Sequence, residues 1–190
     1  MTTSVYRKSL TMRDKTVYSA AKSAICISLL CAVSYIVIPI PPSGLSLMTV
    51  AVNLMALVLT PLHSAMAMTV YLLMGLLGLP VFSGGTAGAG KLFGVTGGYY
   101  FGFLIAVVVI SLLKGKDISF KRYCAVTVFA GIPIQHICAV AMMCFHNGFD
   151  LKGAFMSVSL PFIVGDIVKA VAASFIGVSL NKAMKKMKFE

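Results

Sequence analysis

Two ionisable side chains, Asp166 and Lys169, stand three residues apart inside an apolar run, PFIVGDIVK at 161–169. A helix puts positions i and i+3 on one face, so an acidic acceptor and a basic donor project together. A charge inside a membrane is costly and usually marks a substrate or ion site. The chemistry on offer is recognition of a ligand that carries both donors and acceptors. The plain structural reading is an internal ion pair, and apolar residues can replace such a pair. Both readings hold together if the pair satisfies itself when empty and opens to a ligand.

Other polar groups in apolar runs are Asn53, Gln135 and His136, which more often bond between helices than to ligands. No acid–His–Ser order falls on one face, so no nucleophile is assigned. The five cysteines form no CxxC pair and read as packing residues, without a metal cage. Residues 85–91, GTAGAGK, fit the opening of a phosphate-binding loop. Leu92 stands where Ser or Thr should hold magnesium, and no soluble strand precedes the loop, so ATP is rejected there. Its backbone N–H groups and Lys91 remain candidates for a carboxylate.

The elements that position these groups are membrane helices. The chain of 190 residues is 59% hydrophobic and 11% charged, against about 25% charged in soluble domains. Mean hydropathy is +0.97. The expected fold class is an all-α integral membrane protein with about six spans and no soluble module. The spans are placed at 19–40, 46–60, 62–79, 96–113, 123–145 and 158–181, in one domain covering 1–190. A basic segment at 1–18 precedes this core and a basic tail at 182–190 follows it. The first span is read as retained rather than as a cleaved signal, since no small-residue site follows it.

The net charge of +11 clusters before the first span, around 114–122 and in the tail. Six spans with cytoplasmic termini place all three clusters inside, as the positive-inside rule requires. Without interleaved aromatics, the clusters do not suggest nucleic acid. The outer connections are then 39–45, 78–95 and 146–155. Ten of the 17 glycines lie between Gly75 and Gly102. Because this stretch also holds Leu79, Pro80, Val81 and Phe82, it is expected to fold back over the helices as a lid. On the first helix Ala20, Ala24 and Ser28 form a small-residue stripe that lets another helix approach, internal or external.

GLPVF (78–82) before a Gly-rich loop, TGGY (96–99) running into a helix, and PFxxGDxxK (161–169) together resemble the BioY family. That family comprises the biotin-specific substrate-binding (S) components of energy-coupling factor (ECF) transporters, and the likeness covers roughly 19–181. The resemblance implies a six-helix, non-enzymatic biotin-binding subunit in a bacterial plasma membrane. Biotin is then cargo, and no cofactor is implied. Its partners would be a transmembrane coupling subunit and two cytoplasmic ATPases that use ATP. Asp166 would accept from the ureido N–H groups and Lys169 would bring positive charge to a ligand oxygen. Gly84, Gly85 and Thr86, with Thr96, Gly97, Gly98 and Tyr99, would cover the ligand. Phe82 or Tyr99 would lie against the thioether ring, and Ala20, Ala24 and Ser28 would dock the coupling subunit. An S component for another vitamin, or an intramembrane enzyme using Asp166, are the competing classes.

Overall fold

The computed structural model describes residues 12–38, 45–148 and 150–186. Arg7, Lys8 and Lys188 of the basic clusters, and 39–44 of the first outer connection, lie outside the described residues. The apolar runs form helices: α1 (Met12–Ser34), α2 (Met48–Val58), α3 (Pro61–Leu76), α4 (Ala89–Leu92) and α5 (Gly97–Leu113). Beyond them come α6 (Phe120–Val126), a π turn (Thr127–Gly131), α7 (Ile132–Asn147), α8 (Leu151–Val158) and α9 (Leu160–Lys186). A two-residue antiparallel ribbon, β1 (Val37–Ile38) on β2 (Leu45–Ser46), pairs Val37 with Ser46.

Among the described residues, three helical stretches are long and apolar enough to cross a membrane: Thr16–Ser34, Phe120–His146 and Leu160–Lys186. Shorter apolar helices α2, α3 and α5 accompany them. The 11 residues of α2 rise only about 16 Å, half the hydrocarbon thickness. Nearly all of α2 is buried, so its neighbours shield it instead. Its orphan C-terminal carbonyls are capped from other helices. Lys114 Nζ donates to the carbonyls of Ala56 at 3.0 Å, Leu57 at 2.8 Å and Leu59. Ser111 Oγ reaches Ala56 O at 2.8 Å, and Asn181 Nδ2 reaches Leu57 O at 3.0 Å. Lys114, expected only as part of a charge cluster, thus closes a helix end. Pro61 then starts α3, where a missing N–H costs nothing.

Several boundaries differ from the sequence expectation: α1 begins at Met12 rather than 19, and α9 runs on to Lys186 rather than 181. The helix of the first span stops at Ser34, whose carbonyl accepts the N–H of Gly84 at 2.9 Å from the loop above. The connection expected at 146–155 contains α8. Gly148, at φ +62°, ends α7 in the left-handed conformation that suits glycine, and Ser159 with Pro161 separates α8 from α9.

Two contacts bring the site-bearing helices close. α5 packs on α7 through Gly98 and Gly102, a GxxxG pair. A Cβ at Gly98 would run into the Cys138 carbonyl, and one at Gly102 would sit 2.9 Å from Gln135 Cα. The π turn precedes Pro133, whose ring cannot follow ordinary α-helical geometry. Its extra residue advances the downstream face by one helical step, about 100°. Downstream of the turn, Ile137 faces outward at 66% exposure, whereas Gln135 and His136 turn inward.

Candidate functional site

Asp166 and Lys169 project from α9 into the bundle, 5% and 6% exposed. Lys169 Nζ donates to Asp166 Oδ1 at 2.8 Å. Thr49 Oγ1, from the buried start of α2, donates to the same oxygen at 3.3 Å. The other oxygen, Oδ2, lies 3.1 Å from His136 Nε2 on α7. Behind the imidazole, Tyr99 of α5 places its hydroxyl 3.3 Å from Nδ1. Three helices therefore meet at one carboxylate, and a fourth, α5, backs the imidazole. A buried ion pair persists only with such extra bonds, because desolvation of both charges costs several kcal/mol or more.

Asp166, Lys169 and Thr49 open on a cavity of about 130 Å³. Tyr99, Tyr100, Phe103 and Phe162 supply aromatic wall. The loop between α3 and α5 contributes Ser83, Lys91 and Thr96. Lys91 is half-buried, and its ammonium has no hydrogen-bond or ion-pair partner among the described residues. The arrangement offers an acceptor beside a donor on the helices, apolar rings, and a second positive charge from the loop.

Of the expected site residues, Asp166, Lys169, Lys91, Thr96 and Tyr99 border this cavity. Phe82 does not. It is fully buried beneath the loop, its ring seated where Gly75 has no side chain and 4.6 Å from the Tyr100 ring. Gly97 and Gly98 lie at the start of α5, where their missing Cβ atoms leave room for the Leu92 and Cys138 carbonyls. Gly84 and Gly85 take φ of +75° and +72°, turning the loop against Ser34 and Tyr35 of the α1 end. Thr86 is exposed and bonds to Ser83 O at 3.0 Å. These five positions, with Phe82, shape the loop and its seat rather than the cavity wall. Ala20, Ala24 and Ser28 are exposed on α1, away from the cavity.

Sequence reasoning left out Thr49 and Ser83 and gave His136 only a structural role. Thr49 is 117 residues from Asp166, and no short motif links them. The GxxxG spacing of Gly98 and Gly102 was the available signal for their packing role.

The profile of the BioY family matches residues 5–186. A protein named biotin transporter BioY from Thermotoga maritima is 37% identical, covering 85% of this chain and 94% of that one. A biotin transporter from Lactococcus lactis is 31% identical over 91% of this chain and 95% of its own length. The crystal structure of the S-component for biotin from an ECF-type ABC transporter aligns with a TM-score of 0.81. It covers 90% of this chain and 95% of that one, at 25% identity. With sequence and fold matched along nearly the whole length, the chain belongs to the BioY family.

Proposed function

We propose that this chain is the biotin-binding membrane subunit of an ECF-type uptake transporter. The observation that carries the reading is the buried Asp166–Lys169 pair opening on an aromatic cavity, in a chain of this family. Biotin has two ureido N–H donors, one ureido carbonyl, an apolar thioether ring and a carboxylate tail. Asp166 accepts from ureido N–H, and Lys169 donates to a ligand oxygen. Tyr99 and its aromatic neighbours enclose the thioether ring, the part expected of Phe82 or Tyr99 on sequence grounds. Lys91, beside Thr96 and Ser83, meets the carboxylate.

The 130 Å³ cavity is smaller than the roughly 300–1,000 Å³ of common ligand pockets. Ligand entry therefore requires the loop at 78–95 to open, and the loop acts as the lid. Six spans (α1, α2, α3, α5, α6 with α7, and α9) place both termini on the cytoplasmic side of the cell membrane. Ligand is then captured from the outer face. The chain binds its cargo without transforming it. A transmembrane coupling subunit and two ATPases supply the drive, and the exposed Ala20–Ala24–Ser28 stripe is the docking face.

Titration calorimetry of detergent-purified protein with biotin, dethiobiotin, thiamine and riboflavin tests the ligand. Biotin is expected to bind tightly and the two unrelated vitamins not at all. Binding of thiamine or riboflavin in its place would discard the biotin reading. Replacing Ala20 and Ala24 with Leu is expected to abolish coupled uptake in cells while leaving biotin affinity within about twofold, since isolated surface changes away from a site are nearly neutral. Intact uptake in that variant would move the docking face elsewhere.

A further inference from the structure

The two oxygens of Asp166 take different partners. Oδ1 takes Lys169 and Thr49, at 2.8 and 3.3 Å. Among the described residues, Oδ2 takes His136 alone, at 3.1 Å. A carboxylate is acceptor-only, so the shared proton sits on His136 Nε2, while Nδ1 shares a hydrogen bond with the Tyr99 hydroxyl. The Tyr99 ring also meets the imidazole edge-on, with centroids 5.6 Å apart. His136 is thus held from both ends and is 5% exposed.

The imidazole does not border the ligand cavity. Its outer side borders an apolar groove of about 870 Å³ between α7, α8 and α9, walled by Ile132, Val140, Ile163 and Ile167. The other polar side chains on that groove, Lys152 and Ser159, make no bond to Asp166. Oδ2 has His136 as its one hydrogen-bond donor among the described residues. Without it, the carboxylate is free to turn and give both oxygens to the Lys169 ammonium, a charge-assisted pairing stronger than a neutral bond. Such a closed pair has no oriented acceptor left for a ligand.

We propose that His136 is a positioning residue of the ligand site. It does not touch the ligand. It holds the Asp166 carboxylate plane so that Lys169 cannot take both oxygens, and an acceptor stays directed into the cavity for a ligand N–H. The inference rests on the biotin reading above. It adds a specificity role for a side chain on α7, delivered there by the π turn.

The test compares biotin titrations of wild type, His136→Leu, His136→Gln and His136→Asn, each with thermal unfolding in the same detergent. Gln carries an amide N–H near the place of Nε2; Asn carries the same amide one methylene short of Asp166. Loss of a hydrogen bond to a buried charge is expected to weaken binding roughly 10- to 100-fold in the Leu and Asn variants. His136→Gln is expected to return to within about fivefold of wild type, a rescue that simple packing would not produce. If Leu fails to fold, the contrast between Gln and Asn decides. Equal affinity in Gln and Asn, or wild-type affinity in folded His136→Leu, would overturn the positioning role. A wild-type protein that binds no biotin would instead overturn the ligand reading, and the inference with it.

Discussion

The two sets of polar groups around the cavity are built in opposite ways. The helix-borne set, Asp166 with Lys169, Thr49 and His136, is joined by side chain–side chain bonds across α2, α7 and α9. The loop-borne set, Ser83, Lys91 and Thr96, rides on backbone bonds. Gly84 N–H reaches Ser34 O at 2.9 Å, Gly88 N–H reaches Gly75 O at 2.8 Å, and Ser83 N–H reaches the Tyr100 hydroxyl at 3.1 Å. A buried charged network has no water to fall back on, so it is stable only when complete. Bonds at the rim exchange with water for about 1 kcal/mol each. The helices are therefore suited to selectivity, and the loop to access.

The sharpest break in this contrast is Asp166→Ala. It strands Lys169 and His136 in the bundle and is expected to cost about 3–5 kcal/mol of stability. Biotin binding should fall by roughly 100-fold or more. Thermal unfolding and titration calorimetry read the two effects separately. A folded Asp166→Ala variant with intact affinity would remove the helix-borne set from the site.

A smaller effect is expected at the loop. Lys91→Met removes a half-buried charge that no described protein group is using, so stability should stay within about 0.5 kcal/mol. Biotin affinity should drop about tenfold, the value of one charge-assisted bond. Biotin methyl ester should bind the variant and wild type alike, because its tail has no charge to meet. Equal loss for the ester would show that Lys91 acts on loop shape instead.

The smallest change tests access alone. The Tyr35 hydroxyl donates to Pro80 O and ties the loop to the end of α1. Tyr35→Phe is expected to speed biotin release about two- to fivefold in stopped-flow or competition measurements, with the melting temperature unchanged. A change in melting temperature with release untouched would make the tie structural only.

How far the sequence reached follows the same division. The charge pair was legible because an acid and a base at i, i+3 stand out in an apolar run and must share one helix face. The helices were legible from their apolar length, although α1 ends early because the loop captures the Ser34 carbonyl, a contact 50 residues away in sequence. His136 is the instructive case. Nothing in the local sequence says which way it faces, since the π turn at Thr127–Gly131 sets the phase of α7. Phe82 misled for a different reason. An aromatic in a loop over a cavity suggests ligand contact, but the hollow at Gly75 one turn before the loop takes the ring into the core. Thr49 became visible only when α2 packed against α9.

The most direct measurement sets wild type against Asp166→Leu with Lys169→Leu in the same chain. Removing both partners avoids a stranded charge, and apolar replacement of a buried pair is often neutral or stabilising. The double variant still leaves the His136 N–H without its acceptor. It is expected to stay folded, to melt above Asp166→Ala and to bind no biotin by calorimetry, while wild type binds one equivalent. Wild-type affinity in the folded double variant would show the pair to be structural and would place the ligand site elsewhere.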